Sequence, residues 1–453
     1  MNACRITGRQ ELKLQSDDHI HVVIDLSDVI AQIASGSGMG GIVRVVGQMV
    51  RYATRAGTDN GVTLVFFHYG RHAYVEITPE LFQSDIWADP AQLKNALGVV
   101  NVPVPFGGSR HHNQPIRRAY HIFRRRLKNR LKVMFARPAA GLPPQGWAMT
   151  PWDLPTTGRV RMVVMGMAWM VPKQLERHLA AVRSGNVEIV TLIHDLIPIV
   201  APEGEAKPNP AFCDWFERVA KGTSHYLAVS EFTAEAVRTV SPQYGGHVDW
   251  VRAVPLAHEF DWDDTRDTSV VPAGDYVLTV GSLGHKRKNL DQLLEVWGRL
   301  GGKIGFDRLP TLVVAGAHGR QAAKLEAFVA RYPRLADKVV LVERPKDAQL
   351  AALYEASLFT VYPSRYEGWG LPVGEAAWFG KLCVASGITS IPEVMGDAAD
   401  YFDPSSVEEM MAAFERPIVD RDYLYSREVD IAARKLRRWS DVADDLVAAL
   451  KAP

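Results

Sequence analysis

The chain has 453 residues, 47% of them hydrophobic and 23% charged, with a formal net charge of +1. That profile fits a globular protein of two or three domains, and it excludes a polyanion-binding role carried by overall charge. Its three cysteines, Cys4, Cys213 and Cys383, are far apart, which excludes a disulfide framework and a CxxC metal pattern and points to a reducing compartment.

The N-terminus, MNACRITGRQELKLQSDDH, lacks the apolar core of a secretion signal. The longest apolar run, Met162–Val171, is too short to span a bilayer. The expected location is therefore the cytoplasm, peripheral on the inner face of the cytoplasmic membrane. HVVIDLSDV (21–29) reads as a buried strand. It leads into ASGSGMGGIVRVVGQMVRYA, a glycine-rich loop and a helix with apolar residues at helical spacing. GVTLVFFHYG (61–70), RMVVMGMAWM (161–170) and VEIVTLIHDLIP (187–198) read as further strands, the last two followed by helical stretches. HYLAVSEFTAEAVRTV (225–240) reads as a strand, a serine cap and a helix. The polar stretch 251–275, with two prolines, reads as a linker.

The pattern then restarts. Strands are expected at 275–282, 311–319, 338–343, 358–364 and, last, 381–387. Helices are expected at 289–300, 320–332 and from Asp347. Such βα alternation implies parallel sheets with helices on both faces. The expected fold class is α/β, with two doubly wound Rossmann-like domains facing across a cleft. The expected division is 1–260, 273–425 and a C-terminal helix in 426–453 that crosses back to the first domain. In such sheets ligands lie at the carboxyl ends of strands.

Three stretches carry candidate chemistry. In SRYEGWGLPVGEAAWFGK (364–381), Glu367 and Glu375 flank an exposed-looking Trp369 and a Pro372 that suits a helix start. Glu367 is expected in the loop and Glu375 in the first helical turn. The amides of Gly370, Leu371 and Val373 at that helix end suit a phosphate, whereas the carboxylates suit sugar hydroxyls. Together they suit a sugar nucleotide; the plainer reading is two glutamates favouring a helix N-terminus. In GSLGHKRKNLDQLLEVW (281–297), four basic residues, His285 to Lys288, precede a helix whose dipole opposes them, a conflict that a bound diphosphate removes. The plainer reading is a solvated surface.

The third stretch, 116–138, holds nine Lys/Arg, among them Arg117, Arg118, Arg124, Arg125, Arg126, Lys128 and Arg130, with Ile116, Tyr120, Phe123, Leu127, Leu131 and Met134 at helical spacing. A basic amphipathic helix suits an anionic membrane surface, each basic residue contributing roughly 1 kcal/mol there. The alternatives are an internal helix with a solvated basic face and a nucleic-acid patch. No aromatic RNA platform accompanies it, and no nucleic-acid partner is expected.

VGS…RKN…LL…W, LAALYEASLFTVYPSRYEGWGLPVGEA and ASGITSIPEVMGDAADYFDP resemble the family-4 retaining glycosyltransferases of GT-B fold. HDLIP (194–198), LAVSEFTAE (227–235) and RWSD (438–441) resemble pieces of that family's sugar-polymer enzymes, bacterial polysaccharide mannosyltransferases above all. The resemblance covers most of 186–445 and is weak over 71–158. It implies that Lys288 and Arg287 neutralise the departing diphosphate, that Glu367 holds the donor sugar and that Glu375 holds the ribose. It also implies that Gly370 and Leu371 offer amides, with Trp369 and Pro372 in the donor site. Arg344 and Pro345 match the base-reading turn, although the family often has Gly where Glu343 stands. Some members place Arg at Ser282. The 38–41 loop, through Gly40 and Gly41, approaches donor and acceptor, and its plainer reading is an ordinary βα turn. His194 matches a histidine facing the reacting sugar; a lone histidine after a strand is otherwise a core residue.

The resemblance implies a metal-independent reaction without a cofactor. Its partners are a nucleotide sugar donor and a saccharide or lipid-linked saccharide acceptor. GDP-mannose is the first expectation, with dTDP-rhamnose, GDP-fucose or a UDP-hexose as alternatives. Asp261-Trp262-Asp263 superficially resembles a metal-binding DxD of another glycosyltransferase fold, but it lies in the linker. Two competing functions are an epimerase of the same fold, which needs no acceptor, and a non-catalytic scaffold that binds glycan or sugar nucleotide in a polysaccharide assembly complex.

Overall fold

The computed structural model describes residues 20–34, 40–55, 60–83, 90–98, 148–183, 185–201, 209–261, 265–282, 285–317 and 333–453. The helices expected over 116–138 and 320–332, the three-residue stretch 262–264 and Gly38 lie outside them.

The first half of the chain forms an eight-stranded sheet. Its strands are β1 (Ile20–Asp25), β2 (Val62–His68), β3 (Ala73–Ile77), β4 (Met149–Pro151), β5 (Arg159–Val164), β6 (Val187–Ile193), β7 (His225–Ala228) and β8 (Trp250–Ala253), in the order β4-β3-β2-β1-β5-β6-β7-β8. Pairing is parallel from β2 through β8 and antiparallel at β2–β3 and β3–β4. The second half forms a parallel six-stranded sheet of β9 (Tyr276–Val280), β10 (Thr311–Gly316), β11 (Val339–Glu343), β12 (Phe359–Tyr362), β13 (Cys383–Ser386) and β14 (Asp400–Phe402). Its order is β11-β10-β9-β12-β13-β14, the doubly wound 3-2-1-4-5-6 arrangement, whose winding reverses between β9 and β12.

Strands buried on both faces read as continuous apolar runs. Val277, Leu278, Val313, Val314 and Val361 are all at most 1% exposed. Amphipathic helices cover the sheets: Leu290–Ile304 buries Leu293, Leu294, Val296, Trp297 and Leu300. The C-terminal helix Trp439–Lys451 returns to the first sheet, where Ala443 and Val447 pack against Ala53 of the helix Gly41–Ala53. Arg161, buried between strands, donates to the carbonyls of Leu450 and Ala452, and Arg252 to those of Ala449 and Pro453. Cations at a helix C-terminus answer its dipole and its free carbonyls.

Several expectations change. The strand expected over 21–29 ends at Asp25, because Ser27 opens the helix Ser27–Ala34 and donates to the Asp25 carboxylate. The linker expected from 251 begins with β8, whose backbone pairs with β7. β3, β4 and β14 were not expected. They are three to five residues long and lack a distinct apolar run.

Candidate functional site

The winding reversal between β9 and β12 brings two loops together at the carboxyl ends of these strands. The first runs from Gly281 to Asn289. Asn289 adopts a left-handed conformation (φ 58°) that asparagine tolerates, and its amide donates to Pro404 O. That turn starts the helix Leu290–Ile304 and leaves Arg287 and Lys288 facing the crevice. His285 and Lys286 are exposed, so only two of the four basic residues enter the site. Arg365 N donates to Arg287 O (2.7 Å), tying the first loop to the second.

The second loop, 363–370, carries Glu367, which is 7% exposed. Glu367 Oε1 receives Lys288 Nζ at 2.5 Å, Arg287 Nη1 at 2.6 Å and Ser364 Oγ at 2.5 Å. Lys288 Nζ also donates to the Tyr362 hydroxyl (2.8 Å). Burial would raise the Glu367 carboxyl, but Lys288 and Arg287 outweigh it and hold it down at about 2. Burial lowers the Lys288 ammonium despite the opposing carboxylate. Charges in so dry a crevice act with little screening. Glu367 Oε1 is thus paired with both cations.

Gly370 (φ 119°) ends the loop, and the helix runs Leu371–Trp378. It starts one residue before Pro372, which moves Glu375 into the second turn rather than the first. Val373 N bonds Gly370 O within the turn, so it is not offered to a phosphate as expected. The Gly370 and Leu371 amides remain at the helix end. Trp369 is not exposed: the residue is 6% accessible and packs in the core, and its indole nitrogen has no partner among the described residues. Glu375 receives the Tyr354 hydroxyl at 2.9 Å and lies 3.6 Å from Arg44, which reaches across from the helix Gly41–Ala53. Burial raises its carboxyl against the pull of Arg44.

The first domain closes over this crevice. A Cβ on Gly368 would lie 1.8 Å from His194 O, so glycine is required for the approach. His194 Nε2 donates to Met165 O (2.7 Å), and burial lowers the ring to about 4, which fixes it neutral near pH 7. The next residue, Asp195, accepts from Ile197 N (3.0 Å) and is raised by burial while feeling Arg287, Glu367 and Lys288. Gly40 and Gly41 open the helix Gly41–Ala53; a side chain at either would meet nothing within 4 Å, so packing does not impose glycine there. Ser282 is exposed at the end of β9. Arg344 (φ 48°) and Pro345 follow β11, with Arg344 N bonded to Gly316 O (3.0 Å) and its side chain 75% exposed. Gly316 (φ 136°) is itself required, since a Cβ there would lie 2.0 Å from Gly281 O.

Sequence reading missed Arg44, Asp195, Tyr362 and Ser364 as members of this site. Asp195 lies within the quoted HDLIP, and Ser364 is three residues before Glu367; Arg44 and Tyr362 have no local signature. Asp261 accepts from Gln48 (2.7 Å) and Arg51 (2.9 Å) and so ties the linker to the first domain. Arg117, Arg118, Arg124, Arg125, Arg126, Lys128 and Arg130 lie outside the described residues.

Residues 274–420, the whole second sheet and its crevice, match the family model described as glycosyl transferases group 1. Over these residues the chain is similar to group 1 glycosyltransferase domains. The chain is 28% identical to the O-antigen chain mannosyltransferase B of Escherichia coli over 300 residues, 63% of this chain and 73% of that protein. It is 25% identical to the serotype-specific mannosyltransferase WbdA of Escherichia coli over 264 residues, 56% of this chain but 32% of that protein. HepE of Anabaena, solved with UDP and glucose, matches 95% of this chain and 99% of its own with a TM-score of 0.56 at 14% identity. The fold is GT-B.

Proposed function

We propose that this glycosyltransferase transfers mannose, with retention, from GDP-mannose to a growing or lipid-linked bacterial surface polysaccharide. The observation that carries the reading is the Arg287–Lys288–Glu367 cluster at the β9–β12 crevice, beside the Gly370 and Leu371 amides. The mannosyltransferase relatives support the sugar.

The mechanism follows from charge. The bond from the anomeric carbon to the β-phosphate oxygen breaks, leaving an oxocarbenium-like sugar and added negative charge on the diphosphate. Arg287, Lys288 and the helix-end amides are set to stabilise that charge before it forms, commonly the largest catalytic contribution. The acceptor hydroxyl attacks from the face the diphosphate leaves, and its proton passes to the departing phosphate oxygen. As the diphosphate takes up the two cations, Glu367 is released toward the hydroxyls of the sugar. Glu375 takes the ribose, with Arg44 beside it. His194, neutral, faces the sugar from the other domain. The turn at Arg344 and Pro345 takes the base, largely through backbone, so dTDP-rhamnose, GDP-fucose and UDP-hexoses remain alternative donors. No metal has a role in this scheme.

Acceptor and membrane contact belong to the first domain and to the basic stretch 116–138. Among the described residues no helix is long and apolar enough to cross a membrane; the binding proposed is peripheral, from the cytoplasmic side. Sedimentation with anionic and neutral vesicles tests this; equal binding to both counts against it.

The deciding experiment is a thermal-shift screen of GDP, UDP, dTDP and their sugar conjugates, followed by transfer with the best donor. A ligand that binds only the native state raises the melting temperature. A shift with GDP and GDP-mannose supports the donor; a shift with another nucleotide replaces the sugar. Product formed without acceptor favours an epimerase. Lys288→Ala is expected to cost about 10²–10³ in kcat, and wild-type transfer by that variant would remove the mechanism.

A further inference from the structure

The loop that carries Glu367 is gripped from both domains through its backbone. Ser390 Oγ lies 3.0 Å from both Glu367 O and Trp369 O, within the second domain. Between them, Gly368 O accepts from Ser230 Oγ (2.7 Å) and faces Thr233 Oγ1 (3.3 Å), both in the first domain. These two residues start the helix Glu231–Gln243, where Ser230 Oγ also accepts from Thr233 N (3.0 Å). The first two amides of that helix, Glu231 N and Phe232 N, donate to the carboxylate of Glu393, each at 2.7 Å. Glu393 belongs to the second domain, three residues after Ser390. The ring of Phe232 packs edge-on against Tyr366 (5.5 Å), and Tyr366 O accepts from Arg287 (2.7 Å).

One helix N-terminus therefore holds two things in the opposite domain. Its dipole end and free amides take an acidic side chain, and its capping hydroxyls take the carbonyl next to Glu367. An interface that merely joined two domains would have no reason to grip the peptide between Glu367 and Trp369. Ser230, Thr233 and Glu393 have no place in the chemistry above, and all four of their hydrogen bonds to the opposite domain are lost if the cleft opens.

We propose that Ser230, Thr233 and Glu393 are positioning residues: an interdomain latch that sets the Glu367 loop in its working geometry only when the domains are shut. The proposal rests on the transfer site proposed above. Its consequence is that donor binding and transfer separate. Most of the donor contacts proposed above, those of Arg287, Lys288, Glu375 and the Gly370 and Leu371 amides, lie in the second domain and survive an open latch, whereas transfer requires the loop held from both sides. Misplacement by about 1 Å costs on the order of 10²-fold in rate.

The test uses the full chain with Glu393→Ala, Glu393→Gln, Thr233→Val and Ser230→Thr. Hydrogen exchange is read on the 364–370 amides, and small-angle scattering on the overall dimensions, both without substrate. Steady-state transfer is read with GDP-mannose. Glu393→Ala is expected to lose protection in 364–370, to enlarge the scattering dimensions, and to lower kcat about 10–100-fold while donor KM stays within about threefold. Glu393→Gln, which keeps an acceptor oxygen, and Ser230→Thr, which keeps the hydroxyl, recover most of kcat. Thr233→Val falls between, and serves if Glu393→Ala does not fold. Wild-type protection and dimensions in Glu393→Ala or Thr233→Val overturn the latch, as does a change confined to KM. If wild-type protein transfers from no donor, the proposed function fails, and exchange and scattering still decide the latch.

Discussion

Glu367→Gln tests whether the buried cluster is electrostatic in the way described. The carboxyl is held at about 2 against an ordinary 4.5, because Lys288 and Arg287 outweigh its burial. One unit corresponds to about 1.4 kcal/mol, so the shift contributes roughly 3 kcal/mol to stability near neutral pH. Removing one partner from a buried ion pair costs ~3–5 kcal/mol by general experience, which agrees. The sign follows from the depressed value: the contribution is complete above the unfolded value and lost as pH falls through the folded one. Glutamine copies the shape of the protonated acid, so the variant behaves as wild type does at low pH. Urea unfolding of the full chain is expected to show Glu367→Gln about 3 kcal/mol less stable at pH 7, with less than half of that gap left at pH 3. Equal stability at pH 7, or a gap of unchanged size at pH 3, would refute the reasoning.

Gly368→Ala is expected to spare each domain and block their approach, since its Cβ would lie 1.8 Å from His194 O. Transfer should fall by about 100-fold or more, with the melting temperature nearly unchanged; a large drop in melting temperature with normal specific activity would contradict this. Gly316→Ala places a Cβ 2.0 Å from Gly281 O at φ 136°, and should cost about 2 kcal/mol or more in chemical denaturation. His194 is neutral above a value of about 4, so kcat/KM should show no inflection near 6.5. A His194-dependent step there, absent from His194→Asn, would count against the buried neutral ring. Asp261→Asn removes the carboxylate that Gln48 and Arg51 bind, and should cost about 1 kcal/mol or less without altering any response of transfer to EDTA.

Local pattern was enough for much of the fold. Apolar runs such as TLVVAG and VTLVFF, with glycines and caps between them, placed most strands and helices, because burial on both faces writes itself as an unbroken hydrophobic run. The alternation of these elements implied two parallel sheets. Short β3, β4, β8 and β14 escaped, since three to five residues carry too little pattern to separate a strand from a loop. Within the site, the Glu367–Glu375 spacing and the Arg287–Lys288 pair were legible because each lies on one continuous segment.

Sequence by itself therefore determined most of the elements and the two segments that hold cations and carboxylates. Their meeting was decided only in three dimensions. Lys288 and Glu367 are 79 residues apart and 2.5 Å apart in space, because the sheet reverses its winding between β9 and β12. Trp369 reads as exposed from neighbours that are glycines, but tertiary packing buries it. Arg44 joins Glu375, and Ser230 and Glu393 join the Glu367 loop, through contacts between separate domains. No periodicity encodes such contacts, since each depends on how two independently formed surfaces come together.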